Sequence, residues 1–176
     1  MKKTALCLLL TAALLLFALP GLCKTITIDA QDYPVEEDGW YDTMEEVAVY
    51  LTAFDKLPGN YLTKREAQAL GWVSREGNLW DVAPGCSIGG DRFGNYEGAL
   101  PDEKGRKWTE CDIGFEGRYR NGERIVFSSD GLIYYTGDHY ATFDALEVVY
   151  NAAEDSGEAA DGSDLINTLL DLWLSL

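Results

Sequence analysis

Glu123-Arg124-Ile125-Val126-Phe127, then Ser128-Ser129-Asp130-Gly131, then Leu132-Ile133-Tyr134-Tyr135-Thr136: this stretch decides the fold. Two runs rich in β-branched and aromatic residues flank Asp-Gly, a dipeptide that accepts the positive φ a tight hairpin demands. Runs of the same kind lie at Cys86–Arg92, Arg106–Ile113 and Tyr140–Phe143, punctuated by Gly89-Gly90, Asn121-Gly122 and Gly137-Asp138. Five short strands in succession predict an antiparallel meander.

Upstream the period changes. Thr43-Met44-Glu45-Glu46 and Thr63-Lys64-Arg65-Glu66 each read Thr-x-x-Glu. In this capping box the hydroxyl accepts an orphan amide and the carboxylate reaches back to the cap. Val47, Tyr50, Leu51 and Phe54 then recur at helical spacing before Pro58. After the second box, Ala67 and Leu70 are expected to face inward ahead of Gly71. Leu79–Val82 predicts a single-turn helix before Pro84. Helices followed by strands give an α+β fold, with N-terminal helices packed on one face of a five-stranded antiparallel sheet.

With 176 residues, 47% of them hydrophobic, the chain is long enough for one domain with a core, and global disorder is excluded. Its formal charge is -16, which taken whole argues against a nucleic-acid partner. The acid is unevenly placed, however. Residues 24–55 hold nine acids and one Lys, residues 144–176 hold eight acids and no base, and residues 56–143 balance 13 acids with 11 Lys and Arg. The centre is nearly neutral and carries almost every cation. One histidine and four cysteines leave little material for a metal site, and no cofactor is expected.

Lys2-Lys3, the apolar run Ala5–Leu19 and the break at Pro20-Gly21 read as a secretory signal peptide over 1–23. An acylated Cys23 is the alternative, which Leu22 fits less well. Export leaves Cys86 and Cys111, an even pair that reads as one disulfide, with two buried free thiols as the alternative. The expected organisation is an acidic N-terminal segment over 24–40, a folded domain over 41–143 and an acidic C-terminal extension over 144–176. Asp144–Ala153 reads as helical and Leu165–Leu174 as an appended amphipathic helix, too short for the ~20 residues of a membrane span.

The chemistry-bearing residues are Glu110 on a strand, Arg120 and Arg124 across Asn121-Gly122, His139 at a turn and Lys64 in a helix's first turn. A carboxylate and an imidazole on opposite sides of a cation cluster suit general base and acid around an anionic transition state. Guanidiniums add forked donors for phosphoryl oxygens. Each also has a plainer reading: a surface ion pair, solvated hairpin charges, an exposed turn histidine. Convergence in space separates the two.

From Leu57-Pro58-Gly59-Asn60-Tyr61 to Phe143 the chain resembles the barnase family of secreted, guanyl-preferring bacterial ribonucleases. The resemblance is carried by Tyr61-Leu62-Thr63-Lys64, Glu66-Ala67-Gln68-Ala69-Leu70-Gly71-Trp72-Val73, Asp81-Val82-Ala83-Pro84-Gly85, Ser87-Ile88-Gly89-Gly90-Asp91, Ser128-Ser129-Asp130 and Asp138-His139-Tyr140. It implies a secreted, monomeric endoribonuclease that cuts RNA through a 2′,3′-cyclic phosphate without metal. In that scheme Glu110 is the base and His139 the acid, and Lys64, Arg120 and Arg124 hold the phosphate. Phe93-Gly94-Asn95-Tyr96-Glu97 would grip guanine, with Tyr140 stacked on the base. Gly94 and Tyr96 depart from the Ser and Arg of the best-known members, which removes a cation from the rim. Asp112 is expected to support Arg120 or Arg124, Asp130 to pair with Arg106, and Cys86 with Cys111 to bridge neighbouring strands. A small acidic intracellular inhibitor protein is the partner the resemblance implies besides RNA. A non-catalytic binding protein on the same scaffold is the alternative.

Overall fold

The structure is a computed structural model and describes residues 24–151. The signal segment and the amphipathic helix over 165–174 lie outside the described residues. Among the described residues three α-helices, α1 (Met44–Phe54), α2 (Lys64–Ala69) and α3 (Leu79–Val82), accompany seven strands. The strands are β1 (Thr25–Asp29), β2 (Tyr61–Leu62), β3 (Ser87–Phe93), β4 (Trp108–Asp112), β5 (Arg124–Ser128), β6 (Ile133–Thr136) and β7 (Asp144–Val149).

Both cap threonines bond to the first turn, but only the second box is reciprocal. Thr43 Oγ1 accepts from the Glu46 amide at 3.3 Å, and Asp55 closes α1 in the left-handed region. At α2 both halves of the box are made, the Thr63 amide donating to Glu66 at 2.9 Å. Ala67 is buried as expected, but Leu70 is 54% exposed, because the helix stops at Ala69 and Leu70 already belongs to its cap.

The sheet runs β1-β7-β6-β5-β4-β3-β2, seven strands where five were expected. β3 to β7 form the antiparallel meander, and the two edge pairings, β1 with β7 and β2 with β3, are parallel. The expected fifth strand at Tyr140–Phe143 is displaced to Asp144–Val149, the segment read as helical. His139 and Tyr140 have φ of 58° and 73°, which no strand can accommodate. Asp144–Val149 instead finds partners on both sides, Thr25–Asp29 and Ile133–Tyr135. Both acidic flanks therefore contribute a strand to the sheet.

Alternation sorts the side chains. One face of the sheet carries Cys111, Ile125, Ile133, Leu146 and Ile28, which pack with Val47, Ala48, Val49 and Leu51 of α1. A second cluster lies under α2 and α3, around Ala67, Trp72, Leu79, Ala83, Ile88 and Phe115. The opposite face of the sheet carries a smaller cluster of Leu100, Trp108 and Val126, flanked by Phe93, Tyr134, Tyr140 and Phe143.

The expected disulfide is not formed; Cys86 and Cys111 are free thiols. Cys111 stands opposite Gly89, so Cys86 lies three residues further along the ladder. That is about 10 Å of strand, beyond the roughly 7 Å between Cα atoms that a disulfide bridges. The two side chains also belong to different apolar clusters. Burial pushes both thiols up, Cys111 far above its ordinary range.

Candidate active site

The face opposite α1 is where the charged residues collect, and the ladder register explains how. Asp112 pairs with Arg124 and Arg124 with Thr136, one row across β4, β5 and β6. The next row on the same face is Glu110, Val126 and Tyr134. A β-bulge between Gly89 and Asp91 brings Asp91 opposite Glu110, where its carboxylate accepts the Lys64 amide at 2.9 Å. The first turn of α2 is thereby fastened to the sheet.

Glu110 is 7% exposed. Its Oε1 accepts from Lys64 Nζ at 2.8 Å and its Oε2 from the Tyr140 hydroxyl at 2.7 Å. Burial alone raises its pKa, but the hydrogen bonds from Lys64 and Tyr140 and the charges of Lys64 and Arg120 outweigh it. The carboxyl sits below its usual range. It is ionised at neutral pH and keeps lone pairs for a further donor. Burial and the bond to Glu110 push the Tyr140 hydroxyl up to about 12, so it remains a donor there.

Asp112 is buried beneath two guanidiniums. Arg120 grips it with Nε and one terminal nitrogen, both at 2.6 Å. Arg124 Nε lies 2.9 Å from its Oδ1, an ion pair that lacks hydrogen-bond alignment and leaves Nε without a hydrogen bond. Arg124 is itself 2% exposed, and its Nη1 donates to the Glu123 carbonyl at 2.6 Å and to Asn121 Oδ1 at 3.2 Å. For Arg120, burial disfavours the charge, but Asp112 more than compensates and its pKa rises. Outside the site, Arg106 forks onto Asp130 in the same manner, at 2.7–3.0 Å.

His139 and Tyr140 occupy the left-handed region in succession, a conformation costly for side chains of their size. Asp138 holds them there. Its carboxylate accepts from the Thr136 hydroxyl, the Thr142 amide and the Thr142 hydroxyl at 2.7–2.9 Å. The Thr136 hydroxyl accepts from the Tyr140 amide, and the Gly122 carbonyl accepts from the His139 amide, both at 3.0 Å. The imidazole is exposed. With Ser74, Tyr119, Arg120, Asn121, Gly122 and Arg124 it lines an open cleft of about 460 Å³.

Aromatic rings continue from there to the Gly94 loop. His139 and Tyr140 centroids are 4.8 Å apart, Tyr140 and Phe93 5.4 Å. Within the loop, Asn95 is left-handed, and its side chain donates to the Leu100 carbonyl at 2.9 Å and accepts from the Leu100 amide at 3.0 Å. Asn95 therefore shapes the loop, while Tyr96 and Glu97 project to solvent. The two departures noted in the sequence are coupled: a Cβ at position 94 would lie 2.2 Å from Cε2 of Tyr96. The tyrosine ring fills the space that any larger residue at 94 would need.

The structure thus brings Lys64, Glu110, Tyr140, Arg120, Arg124, Asp112 and His139 onto one face, with Phe93 and the Gly94–Glu97 loop beside them. Cys86 and Cys111 stay apart. Residues the sequence reading passed over are Asp91, Asn121, Thr136 and Asp138, which orient the others. Their only sequence signal is a polar side chain beside a turn or a bulge.

A family model described as ribonuclease matches residues 45–147. Ribonucleases of Heyndrickxia coagulans, Bacillus intermedius and Bacillus pumilus are each 57% identical to this chain over 102 residues, 58% of its length. The alignment covers 94% of the first and 63% of each of the other two. A solved structure of ribonuclease Sa2 with guanosine-2'-cyclophosphate overlaps 32% of this chain and 60% of its own at 32% identity and a TM-score of 0.29, too partial to bear on the fold. The family match runs from α1 into β7 and takes in more than half of the chain, which therefore belongs to the ribonuclease family of RNA-cleaving enzymes.

Proposed function

We propose that the protein is a secreted, monomeric endoribonuclease that cleaves single-stranded RNA on the 3′ side of guanosine by metal-independent transesterification. The observation that carries this is the pairing of an ionised, buried Glu110 with two guanidiniums fixed on Asp112 and an exposed imidazole in the adjoining cleft. Glu110 takes the proton from the ribose 2′-hydroxyl, and the freed oxygen attacks phosphorus. His139 gives its proton to the departing 5′-oxygen, leaving a 2′,3′-cyclic phosphate. Water then opens the ring with acid and base exchanged. Lys64, Arg120 and Arg124 stabilise the charge that grows on the phosphoryl oxygens, which is work a metal ion would otherwise do.

In this reading the guanine stacks on Tyr140 and presents its ring donors to the Glu97 carboxylate, while amides of the Phe93–Glu97 loop face the carbonyl oxygen. The acidic flanks slow the encounter with RNA without blocking it, because the cations stand where the phosphate must sit. A small acidic inhibitor protein that covers the same cations is the intracellular partner. The test is product chemistry. RNA should yield 2′,3′-cyclic phosphate ends after guanosine, and the same sequence with a 2′-deoxy guanosine should resist cleavage there. Cutting of the deoxy substrate at an equal rate contradicts the reading, because that substrate lacks the internal nucleophile.

A further inference from the structure

Arg120 is anchored at its guanidinium, but the backbone that carries it has little else to hold it. Between Phe115, buried at 3%, and Arg120, the residues Glu116–Tyr119 make no backbone-to-backbone hydrogen bond among the described residues. Gly117 is nonetheless buried. What buries it is Trp80, on α3. A Cβ at position 117 would lie 2.0 Å from Cε3 of Trp80, so the indole lies directly against the glycine backbone. The indole is fixed at two further points: Nε1 donates to the Cys86 carbonyl at 2.9 Å, and the ring meets Phe115 edge to face at 5.8 Å. On the next turn of chain, the Gly77 α-carbon leaves room for Tyr119 and the Arg118 carbonyl, which a Cβ there would approach to 3.1–3.2 Å. Glu116–Tyr119 is thus seated by packing alone on the segment from Gly77 to Trp80.

We infer that Trp80 is a positioning residue for RNA cleavage, clamping Gly117 so that Arg120 meets the scissile phosphate in a fixed geometry. This rests on the proposed phosphate-holding role of Arg120. Trp80 is 40% exposed and contributes little to the main core, so conserving the fold does not by itself require an indole there. Its effect reaches the reacting atoms through one short loop. An interaction that tightens as charge builds on the phosphoryl oxygens acts on kcat more than on KM. The groups that face Glu110 are the cations Lys64 and Arg120, the Tyr140 hydroxyl and, across the ladder, the Asp91 carboxylate. A loop that drifts takes one of those positive charges away, while Lys64 and Tyr140 stay where they are.

The experiment compares GpU cleavage by wild type, Trp80→Ala, Trp80→Leu and Trp80→Phe across the pH range, alongside backbone order parameters of residues 116–120. Trp80→Ala and Trp80→Leu should lose about ten- to a hundredfold in kcat/KM, mostly in kcat. Their acid limb should move to higher pH, and order should fall at Gly117 and Tyr119. Trp80→Phe keeps a ring over Gly117 and should recover most of the loss. Should Trp80→Ala melt below the assay temperature, Trp80→Leu carries the test with the same expectation. Folded variants with wild-type kinetics, pH profile and loop order overturn the inference, as does a loss of rate with no movement of the acid limb. A wild-type protein inactive on GpU contradicts the ribonuclease reading of the site instead; the order parameters still decide whether Trp80 clamps the loop.

Discussion

The Tyr140 hydroxyl donates to Oε2 of Glu110 at 2.7 Å, while Lys64 occupies Oε1 at 2.8 Å. The residue proposed to stack on the base also holds the carboxylate proposed to start the reaction. Tyr140→Phe separates these two roles. Its ring survives, so KM for GpU should stay within about twofold, whereas the lost hydrogen bond lets the Glu110 pKa rise. The acid limb of kcat/KM should therefore shift to higher pH with the alkaline limb unmoved, as read from a pH–rate profile.

Tyr96 and Gly94 share one volume, so their substitutions should not add. Gly94→Ser alone forces the Tyr96 ring from its place and should raise KM for GpU. Tyr96→Arg removes the ring and puts a cation on the rim. It should lower KM severalfold at low salt, with the gain fading as salt screens it. In the Tyr96→Arg background, Gly94→Ser should be close to neutral. A double-mutant cycle on KM at two ionic strengths checks all three statements.

Asp138 fixes the left-handed pair His139–Tyr140 through Thr136 and Thr142, and its pKa is held at about 2 against an ordinary 3.8. The Thr142 amide is the largest cause, followed by the Thr142 hydroxyl. A carboxyl depressed in the folded state contributes stability above its unfolded pKa and loses it as pH falls through the folded one. The contribution is therefore full above about pH 5 and is lost progressively as the pH falls to about 1. Asp138→Asn should melt below wild type near neutrality, with the two curves converging in that window. Thermal melts across the acid range measure it.

β1 precedes the family match, which begins at residue 45, yet it is part of the sheet. Ile28 is 3% exposed and packs into the α1 core beside Leu146. Ile28→Ala should cost about 2–5 kcal/mol in urea unfolding. Thr27→Ala, on an exposed position of the same strand, should cost far less. Equal and negligible losses would mean that the acidic N-terminal flank is not needed for folding.

Local signals account for the parts of the fold that could be read from the chain alone. The two Thr-x-x-Glu boxes mark α1 and α2 because caps act within three residues. Asp130-Gly131 marks the β5–β6 hairpin for the same reason. What failed was non-local. Asp144–Val149 mixes Ala, Leu and Glu with two valines, and one of its two partners, Thr25–Asp29, lies over a hundred residues away, so its place between β1 and β6 is not visible locally. The disulfide failed because which residue faces which is a matter of register, and Gly89, not Cys86, stands opposite Cys111. Resemblance, not local pattern, singles out the site residues. The sheet explains their meeting: Glu110, Asp112, Arg124 and Thr136 share one parity on three adjacent strands. Asp138 and Trp80 carry no such signal, because a turn carboxylate and a half-exposed indole look alike in sequence whether or not they hold something in place.

The central claim is that Glu110 and His139 exchange protons around a phosphate held by Lys64, Arg120 and Arg124. The most direct measurement is GpU cleavage in EDTA by wild type, Glu110→Ala and His139→Ala, with folding checked by circular dichroism. Wild type should cleave without metal, and each variant should lose about 10²–10⁴-fold in kcat while keeping its fold. Wild-type activity that requires a divalent metal, or activity that survives both substitutions, would contradict the account.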